Sequence, residues 1–100
     1  MKQEIIKKIL LNDSNELILH LDSNGEPMYQ YVYRAAAGVY WDDEHKGFKS
    51  TPLQQWTVSD WFFHIKDIVR SSLNLDLVLN EKIIWENISE TEQTKIKNAL

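Results

Sequence analysis

Residues 56–73 read WTVSDWFFHIKDIVRSSL, and this stretch decides the fold of the chain. Apolar side chains recur in it at steps of three and four residues, the spacing that places them on one face of an α-helix. They are Val58, Trp61, Phe62, Ile65, Ile68, Val69 and Leu73. Thr57 and Asp60 have the spacing of an N-terminal capping pair, and Asn74 can adopt the left-handed conformation that ends a helix. We therefore predict a main helix over about 57–73, whose apolar face must pack against a sheet.

The composition indicates one soluble globular domain over residues 1–100. Apolar residues make up 43% of the chain and charged residues 26%, which is enough to build one hydrophobic core. There is no cysteine, and no apolar run approaches the ~20 residues that cross a bilayer, so we expect a cytoplasmic protein without membrane contact. The net charge is −4 and the basic residues are scattered, which argues against a nucleic-acid partner.

A hairpin is predicted around Asn24-Gly25, with strands over 17–22 and 27–36. An Asn-Gly pair favours the two-residue type I′ turn, because both of its positions take positive φ. That turn fixes the register and sorts the side chains onto two faces. The face toward the main helix would carry Leu17, Leu19, Leu21, Met28 and Val32. The other face would carry Ile18, His20, Tyr29, Tyr31 and Tyr33.

The remaining elements complete an α+β domain. Residues 2–11 match a helix and a strand in part, and we favour a short helix because Ile5, Ile6, Ile9 and Leu10 form a helical stripe. Further predicted elements are strands at 39–41 and 48–50 around a polar loop, a helical turn at 51–54, and strands at 75–79 and 82–86 joined by a turn at 80–81. A mostly antiparallel, curved sheet then packs on the main helix.

A short C-terminal helix is predicted over about 89–99. Ser89 and Glu92 form a capping box at its start. The helix offers only Ile96, Ala99 and Leu100 for burial, so its ends should fray.

The aromatic residues carry the leading functional hypothesis. Tyr29, Tyr31 and Tyr33 on one strand face would form a rigid amphipathic platform, with His20 beside it and Trp41 at a strand end. We expect an interaction module that binds a protein partner or a second copy of itself through this face. A covering terminal element is the other explanation for three tyrosines on one face.

The alternative hypothesis is a small-molecule-binding protein or an enzyme. Its pocket would lie between the main helix and the sheet, lined by tryptophan and tyrosine, with His20 or His64 as the polar group. No reaction can be named, because the three glycines are isolated and there is no Gly-x-Ser-x-Gly sequence. No cofactor is expected.

Two clusters of titratable residues lie outside that aromatic set. Asp60, His64 and Asp67 share one side of the main helix, an arrangement suited to a metal or a general base. A solvated helix face explains the same spacing, and we favour it. The loop at 42–45 reads DDEH and lacks the spacing of a calcium loop, so we interpret it as a polar hairpin tip. No metal site is predicted.

Overall fold

The structure is a computed structural model that describes residues 1–99. Its elements in chain order are β1 (Lys2–Leu11), β2 (Leu17–Leu21), a 3₁₀-helix (Pro27–Ala35), β3 (Val39–Asp42), β4 (Gly47–Ser50), α1 (Val58–Leu73), β5 (Leu75–Glu86) and α2 (Glu90–Asn98). One five-stranded sheet has the order β3-β4-β2-β1-β5. Within these residues β1 pairs in parallel with β5, and the other three pairings are antiparallel. The predicted α+β domain, with a mostly antiparallel sheet, a main helix and a short C-terminal helix, is confirmed.

Helix α1 forms where the apolar spacing predicts it. The Thr57 hydroxyl accepts from the Asp60 amide while the Asp60 carboxylate accepts from the Thr57 amide, which completes the capping box. Asn74 ends the helix with φ at 53°, in the left-handed region. The helix fully buries Phe62, Ile65 and Val69 in the core. Each such side chain stabilises the fold by about 1.5–3 kcal/mol.

The short helix favoured for residues 2–11 is wrong, because this segment is strand β1, which lies between β2 and β5 in the sheet. A bulge at Lys7 sets Ile6 opposite Leu21 and Lys8 opposite His20, so two steps along β1 match one step along β2. The extra residue returns Ile9 to the same face as Ile6, and both are fully buried. An apolar spacing of three residues, which resembles a helix, is therefore produced by a bulged strand.

The prediction of a hairpin around Asn24-Gly25 is also wrong. Residues 27–35 form a 3₁₀-helix that begins at Pro27 and ends at Ala36 with φ at 52°. Gly25 has φ at 75°, but Asn24 has no positive φ, so the backbone does not form a type I′ turn. A 3₁₀-helix repeats every three residues, and the two buried side chains are accordingly Tyr29 and Val32.

Two other predictions in the second half of the chain need correction. Residues 75–86 form one strand instead of two, although Asn80 accepts from the Lys82 amide where the turn was expected. The four residues 80–83 of β5 lie there opposite a single residue of β1, Lys7. The helical turn predicted at 51–54 is absent, and residues 51–57 form an irregular connector to α1. The strands predicted at 39–41 and 48–50 are confirmed.

Helix α2 begins at the predicted cap and packs through a single side chain. The Ser89 hydroxyl accepts from the Glu92 amide, and Ile96 is fully buried. Ala99 is exposed, contrary to the prediction, because the helix ends at Asn98. The burial predicted for Leu100 lies outside the described residues.

Candidate functional site

The five residues predicted to bind a partner do not share a surface. Tyr29 is 2% exposed, whereas Tyr31 and Tyr33 are 42% and 51% exposed on other sides of the 3₁₀-helix. Trp41 packs edge-on against Tyr29 on the helix-covered face of the sheet, with ring centroids 5.4 Å apart. His20 lies on the opposite sheet face. The tyrosine sheet face is therefore not formed.

Tyr29 is buried in the core, and its phenol hydroxyl forms a hydrogen bond there. Its hydroxyl donates to the Glu4 carboxylate at 2.6 Å, and the Ser23 hydroxyl donates to the other oxygen at 2.8 Å. Burial raises the pKa of the Tyr29 phenol above its ordinary value, and the Glu4 carboxylate raises it further. Glu4 is only 7% exposed, so these two hydroxyls compensate a buried carboxylate. This network fixes the 3₁₀-helix on β1.

His20 occupies the sheet face turned away from the helices. Its cross-strand neighbours are Lys8 on β1 and Gly47 on β4. Burial lowers the pKa of His20, and the nearby positive charge of Lys7 adds to this effect. His20 is thus separated by the sheet from Trp41 and from every ring of the helix-covered face.

A different group of aromatic residues forms a cleft at the start of α1. Trp56, Trp61 and His64 contact one another, with ring-centroid distances of 5.3 Å for Trp56–Trp61, 5.0 Å for Trp56–His64 and 5.3 Å for Trp61–His64. We call the open space beside these rings the aromatic cleft. It has a volume of about 550 Å³. Its other lining residues are Ala36, Ala37, Thr51, Pro52, Gln54 and Gln55.

Local sequence accounts for the contact between the two tryptophans. Trp56 directly precedes the helix cap Thr57, and Trp61 is the fourth residue of α1. An apolar pair at these two positions is the hydrophobic staple of helix starts. This spacing could have identified Trp56 and Trp61 as neighbours from the sequence, but it does not reveal that Trp56 stays 47% exposed.

His64 joins α1 to the segment that follows the 3₁₀-helix. Its Nε2 lies 2.9 Å from the carbonyl oxygen of Ala37. A carbonyl only accepts, so Nε2 carries the proton, and Nδ1 is the acceptor nitrogen when the ring is neutral. Gly38 allows the backbone after Ala37 to approach Trp61 closely, since a Cβ at position 38 would lie 3.0 Å from Cη2 of Trp61. The segment at 36–37 therefore forms one wall of the cleft.

A second recess lies on the other side of Trp56. It has a volume of about 420 Å³ and is lined by Trp56, Asp60, Phe63, His64 and Asp67. We call it the acidic recess. The two carboxylates that the sequence placed beside His64 thus border an aromatic surface. Across residues 1–99, no lysine or arginine nitrogen lies within 4.0 Å of either carboxylate.

Asp42, Glu44 and His45 form a separate cluster at the tip between β3 and β4. Their potential ligand atoms lie within 4.8 Å of one another, a distance that a metal ion could bridge. One Asp42 oxygen accepts from the amides of Glu44 and His45, and the other lies 2.8 Å from Nδ1 of His45. Burial opposes ionisation of Asp42, yet hydrogen bonds from His45 outweigh it and lower its pKa. These bonds close the turn itself.

The fold and the cleft define a small α+β domain with an open aromatic site at the start of its main helix. The chain belongs to the integron cassette protein Hfx_Cass5 family, whose sequence model matches residues 6–82. That range contains the part of β1 from Ile6 onward, all of α1 and both recesses around Trp56. It ends within β5, before α2.

The chain is also similar to a solved structure titled "Structure from the mobile metagenome of North West Arm Sewage Outfall: Integron Cassette Protein Hfx_Cass5". The two sequences are 24% identical, and the match covers 99% of this chain and 96% of that one, with a TM-score of 0.45. A search of curated proteins found no match to the chain. None of the helices within residues 1–99 is long and apolar enough to cross a membrane.

Proposed function

We propose that this protein binds a small molecule, with a flat apolar part of the ligand seated in the aromatic cleft against Trp56. One observation carries the proposal: Trp56 contacts the rings of Trp61 and His64 and still is 47% exposed. An indole that is already held in place loses little side-chain freedom when a ligand stacks on it. The proposal is for binding, and it names no reaction.

The walls of the cleft support the same function. Gln54, Gln55 and Thr51 supply hydrogen-bonding side chains beside the tryptophan rings. Ligand sites typically combine an apolar surface with a few polar groups that orient the ligand. The connector that carries these residues is fixed at Leu53, which exchanges two hydrogen bonds with Asn15, at 2.8 and 2.7 Å. The cleft is therefore preformed.

The test uses a neutral, flat probe, indole-3-ethanol, titrated into ¹⁵N-labelled protein. We expect the indole N–H resonance of Trp56 to shift, and Trp56→Ala to weaken binding at least about tenfold, because stacking on one aromatic ring contributes ~0.5–1.5 kcal/mol beyond its buried area. Tyr33→Ala removes an exposed ring elsewhere and serves as the matched control. Binding that survives Trp56→Ala unchanged would contradict the proposed cleft.

A second candidate is contact with another copy of the chain through the outer side of the 3₁₀-helix. Met28 and Tyr31 are 49% and 42% exposed there, and the Arg34 guanidinium lies 4.2 Å from the Tyr31 ring centre. Sedimentation at micromolar concentration tests this candidate directly. A dimer that Tyr31→Asp dissociates would support it, whereas a monomer unaffected by the substitution would exclude self-association through this side.

A further inference from the structure

The acidic recess carries an inference about the chemical class of the ligand, and this inference rests on the proposed function. Asp60 and Asp67 lie on the same side of α1 as His64, seven residues apart. One oxygen of Asp60 accepts from the Thr57 amide at 3.1 Å, in the capping box. Within the described part of the chain neither carboxylate has a lysine or arginine partner.

Within residues 1–99, six of the fifteen Asp and Glu side chains are paired with a lysine, and Asp60 and Asp67 are among the nine that are not. The side chains with a lysine nitrogen within 4.0 Å are Glu16, Glu26, Asp43, Asp76, Glu86 and Glu92. Asp60 and Asp67 thus leave two negative charges at the mouth of a recess. The local field there favours a positively charged group over a neutral or negative one.

Aromatic rings also line the acidic recess, and they favour an organic cation over a metal ion. The faces of Trp56 and Phe63 attract a cation electrostatically, and an organic ammonium group gains this attraction while losing little hydration. A calcium or magnesium ion would need more oxygen ligands than the two carboxylates supply. Aromatic rings with nearby carboxylates are the chemistry that binds amines and quaternary ammonium groups.

We propose that the ligand is an organic cation. Its flat apolar part lies in the aromatic cleft, and its ammonium group lies in the acidic recess beside Asp60 and Asp67. Both spaces are lined by Trp56 and His64, so a spacer of a few bonds joins the two parts of the ligand around the Trp56 ring.

The test compares two probes that differ only in charge. Tryptamine has the skeleton of indole-3-ethanol with an ammonium group in place of the hydroxyl. We expect tryptamine to bind the wild-type protein about tenfold more tightly, as a cation–π contact together with two carboxylates would give. The preference should weaken as salt is raised, because both carboxylates are exposed to solvent.

Two matched variants locate the charge effect. Asp67→Asn should weaken tryptamine binding about threefold and leave indole-3-ethanol binding unchanged, because an exposed carboxylate attracts a cation only weakly. Asp22→Asn makes the same change of charge at an exposed position in the loop after β2 and should alter neither probe. Equal loss of tryptamine in both variants would assign the preference to the net charge of the chain and overturn the site.

The outcomes separate this inference from the proposed function. Equal binding of tryptamine and indole-3-ethanol at Trp56 overturns the organic cation and leaves the aromatic cleft in place. Failure of both probes to shift the Trp56 indole resonance overturns both proposals. Selective loss of tryptamine in Asp67→Asn supports both.

Discussion

At the scale of single residues, Glu92 shows how one side chain joins two helices. It lies in the first turn of α2, where the sequence predicts that it caps its own helix. Its carboxylate instead reaches the start of α1, where the Ser59 amide donates at 3.2 Å and the Ser59 hydroxyl at 3.3 Å. Burial opposes ionisation of Glu92, but these hydrogen bonds outweigh it and lower its pKa. A negative charge at that point also complements the dipole of α1.

Glu92→Gln should therefore destabilise the fold by about 1 kcal/mol, through the weaker acceptor and the lost charge at two helix starts. The free energy of unfolding in urea measures this. Glu90→Gln is the matched control, because Glu90 is also in the first turn of α2 and is exposed. Equal losses in the two variants would mean that the contact with Ser59 contributes nothing.

At the scale of elements, the 3₁₀-helix depends on a contact distant in sequence. Its buried stripe is Tyr29 and Val32, and the Tyr29 hydroxyl reaches Glu4 on β1. Gly25 allows the chain to enter the helix beneath Trp41, since a Cβ there would lie 2.5 Å from Cη2 of Trp41. A nine-residue 3₁₀-helix is long for its type, so tertiary contacts must stabilise it.

Tyr29→Phe should destabilise the protein by about 2 kcal/mol, because the buried Glu4 carboxylate loses one of its two hydroxyl donors. The melting temperature and the unfolding free energy report the change. Tyr33→Phe removes the same atom from a side chain that is 51% exposed and should be nearly neutral. If both substitutions have the same effect, the bond to Glu4 is not what fixes the helix.

At the scale of the whole molecule, β1 connects the two halves of the chain. It pairs with β2 from the first half and, in parallel, with β5 from the second. Strand β5 forms one edge of the sheet and β3 forms the other. Strand β3 has four residues and pairs with β4. The sheet is therefore complete only when the last strand has reached the first.

Hydrogen exchange of the backbone amides should follow this arrangement. We expect the slowest exchange in β1 and β2, where local opening requires most of the core to open, and faster exchange in β3 and at the end of α2. Exchange of the native protein followed by NMR measures the protection residue by residue. Protection of β3 equal to that of β1 would contradict a fold centred on the β1–β5 pairing.

Several elements could be predicted from the sequence by itself, because local interactions determine them. Helix α1 needs only its apolar spacing, the Thr57–Asp60 box and Asn74, and all of these act within a few residues of one another. The start of α2 at Ser89 is local in the same way. The α+β class then follows, because an amphipathic helix among short strands must pack on their sheet.

Only the tertiary structure decided that residues 2–11 form a strand and that residues 27–35 form a 3₁₀-helix. It also decided where the candidate site lies. The spacing of Ile6 and Ile9 fits a helix as well as a bulged strand, and only two neighbouring strands select the strand. The cleft beside Trp56 is lined in part by His64 and Ala37, which lie 27 residues apart and are joined by a hydrogen bond. A sequence pattern sets the local preference of the backbone, whereas pairing and exposure are set by partners that only the folded chain brings together.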